Sequence, residues 1–355
     1  MKQIGIFFGG VSSEHDVSLL SATAVLQNIS KEKYEVHCVG ITKEGEWYYY
    51  NGPIDMIGSG AWLNDPKYLT PCTVNVNRSQ KGLLLFGEEG IRTVKLDCVF
   101  PVLHGKNGED GTMQGLLEIA GIPYVGCDTL SSAVCMDKTV THTVLDRHGI
   151  ETAKYISIMD YEYAENGEEF LEMAEKELGY PMFVKPANAG SSVGVSKVSA
   201  PEEFHAAMQL AFANDKKVLV EEMINGLEVE CGVLGNKEPI AAVPGSIVPC
   251  NDWYDYEAKY LAGESKTLIP AAVSSRMIDR VRAQAIRAYL ALGCTGMSRV
   301  DFFVTADDRL LVNEVNTIPG FTSISMYAKM FAAAGVDFSE LVDRLLALAL
   351  SAKGE

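Results

Sequence analysis

The stretch "SRVDFFVTADDRLLVNEVN", residues 298–316, decides how the C-terminal half of this chain is read. Two apolar runs flank the turn pair Asp307-Asp308, which is the pattern of a β-hairpin. With those two residues at the tip, Asp301 faces Glu314 and Arg299 faces Asn316. Side chains alternate along a strand, so these four polar groups share one face. Val300, Phe302, Val304, Leu311 and Val315 are expected on the other face, as a core.

Two carboxylates and a carboxamide offer the oxygen ligands that Mg²⁺ or Mn²⁺ prefers, with phosphate oxygens and water completing the shell. The Arg299 guanidinium can reach the same phosphate. The competing reading is a surface salt-bridge cluster of Arg299, Asp301 and Glu314. The hairpin then runs into "TIPGFTSIS", residues 317–325. Gly320 lets the backbone approach a ligand closely, and the amides beyond it can bind an anion.

Working upstream, "VKPANAGSSVGVSKV", residues 184–198, places Lys185 at a strand end before a loop of small residues. Such a loop exposes backbone N–H groups to phosphates, although it also fits an ordinary turn and does not match GxxxxGK[ST]. Lys138, in "MDKT", stands at a helix start, either as a second phosphate contact or as a solvated lysine. Glu14 and His15, in "GGVSSEHDVS", lie near another helix start, where Glu14 can take an ammonium group or serve the helix end. His104 sits on the glycine-rich "HGKNGEDG", where a structural role is the usual one for a lone histidine.

Around these pieces the chain alternates. "KQIGIFFGG", the helical "VSLLSATAVLQNI" and "YEVHCVGIT" form a strand–helix–strand unit, with Ser12 or Ser13 expected to cap the helix. Residues 46–95 read as irregular, with a few short strands and no motif. "KLDCVFPVLHG" is a buried strand and "GTMQGLLEIAGI" a helix, so a first domain ends near Gly126. The middle carries strands at "PMFVKP", "VGVSKV", "KVLVEEMI" and "EVECGVLG", antiparallel in character. The polar, aromatic stretch from Cys250 to Lys266 is long enough to be a functional loop. "SSRMIDRVRAQAIRAYLALG" is amphipathic helix, and Asp337 and Glu340 are a capping box for the last helix. The expected domains are 1–126, 127–221 and 222–355.

Bulk properties agree with a multidomain globular protein. The chain has 355 residues, 47% of them hydrophobic, too many for one ordinary core. A formal net charge of −17 repels nucleic acid and anionic membranes. Any polyanionic ligand therefore needs local cations. No stretch reaches transmembrane length, and the N-terminal apolar run is too short for a secretory signal. Eight cysteines without a CxxC pair read as free thiols in a reducing cytosol.

Taken together, "GGVSSEHDVSLLSA", "FPVLHGKNGEDGTMQGLLEIAGIPYVG", "MDK", "KPANAGSSVGVSKV", "EAKY", "SRVDFF" and "NEVNTIPGFTSIS" resemble the D-alanine–D-alanine ligases of the ATP-grasp superfamily. The matches come in family order and span nearly the whole chain. "FPVLHGKNGEDG" and "CDTLSSAVCMDK" look closest to a sub-branch near vancomycin-resistance-type D-alanine–D-serine ligases. The resemblance implies mixed α/β and α+β architecture, an ATP-grasp fold behind an N-terminal Rossmann-like domain. It implies ATP and two Mg²⁺ or Mn²⁺ ions, the metals on Asp301, Glu314 and Asn316. Lys138, Lys185 and Lys259 would serve the nucleotide, with Glu221, Met223, Ile224 and Glu228 around adenine and ribose. Glu14 would hold the first amino acid's ammonium group, with His104 near its carboxylate. Ser191 and Tyr260 would link two loops in a lid. Arg299 and the Gly320 amide would stabilise the reacting centre, and Ser325 and Met326 would line the second subsite. Ile324 departs from the polar residue the family often carries there. The implied activity joins two D-alanines for peptidoglycan precursors, in the cytoplasm, as a homodimer with small-molecule partners only. The alternatives are D-serine as second substrate, or a non-catalytic sensor that kept the fold.

Overall fold

The structure is a computed structural model that describes residues 1–190, 193–248 and 266–351. The first strand, β1 (Lys2–Gly9), is apolar and buried from Ile4 onward, as expected of a strand covered on both faces. It is followed by α1 (His15–Asn28) and by β2 (Tyr34–Ile41), which pairs with β1 in parallel. The helix starts one residue after Glu14, whose side chain makes no capping bond. Ser12 shapes the turn before the helix and does not cap it: its Oγ accepts from the Glu14 amide at 3.1 Å.

Residues 46–95 are more regular than their sequence suggests. They form β3 (Trp47–Tyr50), the short helix α2 (Ile54–Gly58), β4 (Leu69–Asn75), β5 (Gly82–Gly87) and β6 (Gly90–Lys95). These four strands extend the parallel core in antiparallel fashion before β7 (Cys98–Pro101) returns beside β1. The strand order is β6-β5-β4-β3-β2-β1-β7. Packing explains the regularity. Trp62 and Tyr50 meet Phe8 edge-on, at 5.2 and 6.4 Å between ring centroids. Trp62 also fills the space where any side chain at Gly40 would stand.

After α3 (Thr112–Ala120), α4 (Thr129–Met136) and α5 (Lys138–Arg147) comes a second, antiparallel sheet. It contains β8 (Tyr155–Met159), β9 (Met182–Pro186), β10 (Ser196–Val198) and β11 (Lys217–Glu222), in the order β10-β9-β11-β8. Helices α6 (Asp160–Glu177) and α7 (Pro201–Phe212) cover it.

The third sheet holds β12 (Gly226–Leu234), β13 (Ile240–Ala241), β14 (Gly245–Val248), β15 (Lys266–Leu268), β16 (Met297–Thr305) and β17 (Leu310–Asn316). Helix α8 (Ser275–Ala291) packs on it, with Met277, Val281, Ala285 and Ala288 buried at helical spacing. The chain closes with α9 (Met326–Ala333) and α10 (Phe338–Ser351). Asp337 Oδ1 accepts from the Glu340 amide at 2.8 Å, but the Glu340 carboxylate pairs forward with Arg344. Both helices join Ile4, Phe100 and the other apolar residues of the first sheet in one core cluster. The C-terminal end of the chain is thereby tied to its N-terminal sheet, with the hairpin between them.

The hairpin differs in detail from its sequence reading. Arg299 faces Asn316 and Asp301 faces Glu314, as expected. Nearer the tip, however, Val304 faces Leu310 and Phe302 faces Val312, a register one residue tighter. The loop is three residues long, because Thr305 bonds across to Arg309 and Asp308 takes the left-handed conformation at φ 65°. A bulge in β17 absorbs the difference, with Asn313 the extra residue, opposite the step from Asp301 to Phe302. Leu311 consequently lies across from Phe303, on the face of Asp301, and not with Val300 and Phe302. The apolar face is completed by Leu310 and Val312 instead.

Candidate active site

The four polar groups of the hairpin form one network. Arg299 grips Asp301 with two bonds, Nε to Oδ1 at 2.7 Å and Nη2 to Oδ2 at 2.6 Å. Asn316 Nδ2 donates to the same Asp301 Oδ2 at 3.0 Å. A neighbour on β12 joins them: Glu230 Oε2 lies 3.2 Å from Arg299 Nε. Burial opposes the charge of Arg299, but Asp301, Glu230 and Glu314 outweigh it and hold the guanidinium proton more firmly than usual.

Glu314 completes the row and faces a cation from another part of the chain. Lys138, first residue of α5, places Nζ 3.7 Å from Glu314 Oε2 and donates to the Ala189 carbonyl at 2.8 Å. Asp137 fixes that helix start by accepting from the Val140 amide, and Lys217 pairs with the other Asp137 oxygen. The Lys138 amide bonds Ala187 O, and Asn188 is anchored on Asp215. The base of the small-residue loop is thus tied to the helix that carries Lys138. Glu109, Lys138, Ala189, Gly190, Glu314, Asn316 and Thr317 line a common cleft.

Lys185 ends β9, and Glu221 lies diagonally across on β11 with its carboxylate on the Lys185 ammonium. His142 Nε2 stands 3.5 Å from the other Glu221 oxygen. Burial alone raises the Glu221 carboxyl, but Lys185, His142 and Lys138 together bring it below the ordinary carboxylate value. Met223, Ile224 and Glu228 follow along the connection into β12, with Met223 exposed.

Glu14 comes in from the first sheet. Its Oε2 lies so near two glycines that a Cβ on Gly105 would fall 2.6 Å away, and one on Gly190 3.0 Å away. A side chain at Gly105 is excluded twice over, since its φ is 70°. Glu14 therefore sits between the "HGKNGEDG" loop and the small-residue loop. His104 is buried with both ring nitrogens engaged, Nδ1 on Ile318 O at 2.9 Å and Nε2 on Ser21 Oγ at 2.9 Å. Its aromatic ring loses hydration there, which lowers its proton affinity. Glu109 accepts from the amides of Gly105 and Ile318, at 3.1 and 3.2 Å. Burial and the nearby Glu14 charge raise its carboxyl well above the ordinary range.

Beyond Gly320, Ser325 starts α9, and its Oγ accepts from the Thr322 amide at 3.0 Å. Met326 lies against Gly245 at the start of β14. Ile324 is 76% exposed. Ser191, Lys259 and Tyr260, with the loop read from Cys250 onward as far as residue 265, lie outside the described residues. Sequence reasoning missed Ser21, Glu109, His142 and Glu230. Ser21 and Glu230 are polar residues in apolar runs, while Glu109 and His142 stand among other polar residues, so nothing local singles any of them out.

The donor set at the hairpin suits a hard divalent cation. Asn316 spends its amide nitrogen on Asp301, so its oxygen is the atom left for an outside partner. Among the described residues no group of three or more His, Cys, Asp or Glu side chains is placed to hold a metal. A metal here needs oxygens from the ligand to complete its shell. All seven described cysteines are free thiols, and no described helix is long and apolar enough to cross a membrane.

Comparison with known proteins agrees across the chain. The family model for the D-ala D-ala ligase N-terminus matches residues 3–127, and that for the C-terminus matches residues 144–347. The D-alanine–D-alanine ligase of Clostridium acetobutylicum is 48% identical over 99% of this chain and 98% of its own length. That of Ruminiclostridium cellulolyticum is 47% identical over 98% of this chain and 95% of its own. The crystal structure of the VanG D-Ala:D-Ser ligase from Enterococcus faecalis superposes with a TM-score of 0.91 at 46% identity, covering 98% of this chain and 99% of that one.

Proposed function

Since the chain belongs to the D-alanine–D-alanine ligase family, we propose that it joins two D-alanines at the expense of ATP, supplying dipeptide for peptidoglycan precursors. The observation that carries this reading is the cleft where Lys138 and the small-residue loop face Glu314 and Asn316. A cation for phosphate, Lys138, and oxygens for a divalent metal meet there, beside the Gly190 that Glu14 approaches.

In this reading Lys138 and Lys185 bind the phosphates of ATP, with Glu221, Met223, Ile224 and Glu228 beside the adenosine. Lys259 would add a further contact. Glu14 orients the first D-alanine by its ammonium group, with His104 in the wall beside its carboxylate. That carboxylate oxygen attacks the γ-phosphorus, the bond to ADP breaks, and an acyl phosphate forms. Anion attacks anion in this step, so Lys138, Lys185 and Arg299 must offset charge and align the groups. Asp301, Glu314 and Asn316 would hold Mg²⁺ or Mn²⁺, which when bound neutralises phosphate charge. The second D-alanine, lying by Ser325 and Met326, attacks the acyl carbon as a free amine and phosphate leaves. Arg299 and the Gly320 amide would stabilise the tetrahedral oxyanion. Ser191 and Tyr260 would close a lid that keeps water from the acyl phosphate.

The likeness to VanG at 46% identity favours one further reading, D-serine as the second substrate. Met326 has no hydrogen-bond donor for a hydroxyl, which favours D-alanine, and an apolar pocket rejects an added hydroxyl by only about a hundredfold. A competition between equal D-alanine and D-serine, with ATP and Mg²⁺, decides by mass spectrometry of the dipeptides. Dominant D-alanyl-D-alanine supports the proposal, and dominant D-alanyl-D-serine replaces it. A cytoplasmic homodimer completes the reading, and light scattering of the purified protein tests the assembly.

A further inference from the structure

Residues 318–321 carry the backbone from the metal-side hairpin to the second-substrate helix, with Gly320 at their centre. Three side chains from the N-terminal part of the chain grip this segment. A carbonyl only accepts, so His104 must donate to Ile318 O through Nδ1–H. That fixes the neutral tautomer, with Nε2 as an acceptor for the Ser21 hydroxyl. Ser21 Oγ in turn accepts from the Phe321 amide at 3.2 Å. The bonds run in one sense, Phe321 N–H to Ser21 to His104 to Ile318 C=O, and close a ring around Gly320. Glu109 takes the remaining polar group of Ile318, its amide. Ser21 is fully buried on α1. Its hydroxyl bonds His104 on one side and the Phe321 amide on the other.

We infer that Ser21, acting through His104 and the Phe321 amide, is a positioning residue that sets the Gly320 turn against Arg299. This rests on the ligase reading, in which the Gly320 amide meets the developing oxyanion. Ser21 itself touches no reacting atom. It acts by removing the freedom of a loop whose amide must be in place before reaction. Two charged groups bear on His104, Glu14 and Arg299, of opposite sign, and neither belongs to the ring.

Ser21→Ala removes the hydroxyl, and Ser21→Thr restores it. In Ser21→Ala, kcat is expected to fall about tenfold, the cost of a lost buried hydrogen bond in the transition state. The KM for ATP should stay within about twofold, since the nucleotide contacts are elsewhere. The amides of Ile318, Gly320 and Phe321 should exchange about tenfold faster than in the wild type. Ser21→Thr should recover most of kcat and of the protection. Unchanged exchange in Ser21→Ala, or a lower melting temperature with wild-type kcat, overturns the inference. Should Ser21→Ala fail to fold, the wild-type Phe321 amide decides. Slow exchange supports the ring, and exchange as fast as that of exposed Ser323 overturns it. The exchange measurement needs no substrate. Failure of the wild type to make dipeptide therefore counts against the ligase reading alone.

Discussion

The hairpin network and the Lys185–Glu221 pair both bury charge, but they distribute it differently. On the hairpin, Arg299 answers to Asp301 and Glu230 together, and Asn316 shares Asp301. Glu314 stands at the end of the row, 3.7 Å from Lys138 Nζ. On the second sheet, Lys185 and Glu221 hold each other directly, with side-chain exposures of 15% and 5%. A network that shares its charge among several groups can lose one member and keep its balance. A tight buried pair leaves a bare charge when either partner goes.

The contrast makes Glu314→Ala the most informative loss on the hairpin. It should remove Mg²⁺-dependent ADP release by at least about a hundredfold, several kcal/mol of transition-state charge, with little change in melting temperature. Wild-type turnover at saturating Mg²⁺ would falsify the metal assignment.

On the second sheet the stability effect should be larger than on the hairpin. Lys185→Met is expected to cost about 2–3 kcal/mol of unfolding free energy in urea titrations. Adding Glu221→Gln should return more than half of that, because the uncompensated charge is then gone. Additive losses in the double variant would show that the pair is not coupled.

A smaller effect separates the two regions by pH. The folded carboxyl of Glu221 lies below its ordinary 4.5. Its contribution is therefore present above the unfolded value and is lost as pH falls through the folded one. The urea midpoint of the wild type, minus that of Glu221→Gln, should shrink as pH drops from 6 into the acid range below about 4. A constant difference would mean that the carboxylate is not held by its cations.

The smallest effect belongs to the exposed tip of the hairpin. Arg309 and Glu151 pair at 2.5 Å but remain 45% and 49% exposed. Arg309→Ala should cost no more than about 0.5 kcal/mol. A loss comparable to that of Lys185→Met would erase the distinction between exposed and buried pairs.

How much could be read beforehand differs by region. The parallel start of the first sheet, the helices at Lys138 and Ser275, and the strands that carry Lys185 and Asp301 follow from local periodicity. Residues 46–95 did not yield to the same reasoning. Pro71 sits inside β4, β6 is exposed along most of its length, and the element that orders the stretch is Trp62, which belongs to no strand. The His104 clamp was equally opaque, because Ser21 and Ile318 are far from it in sequence and ordinary in composition.

The hairpin shows where the division lies. Its sequence determined which residues share a face at the site end, because alternation is a local property of an extended chain. A two-residue turn and an unbroken ladder place Arg299, Asp301, Glu314 and Asn316 correctly, yet neither feature exists. The loop has three residues, and the bulge at Asn313 returns the register. The loop follows from local bonding at its tip, and tertiary contacts account for the bulge. The Val312 amide bonds Glu151 O at 2.8 Å, and Thr152 lies alongside Val312 in a parallel bridge. His142 Nε2 meets the Asn313 carbonyl at 3.3 Å. A segment distant in sequence thus claims the outer edge of β17, and the strand buckles to satisfy it. Local pattern sets the direction of each side chain, while only the assembled chain decides which backbone groups are left to pair and where the ladder must slip.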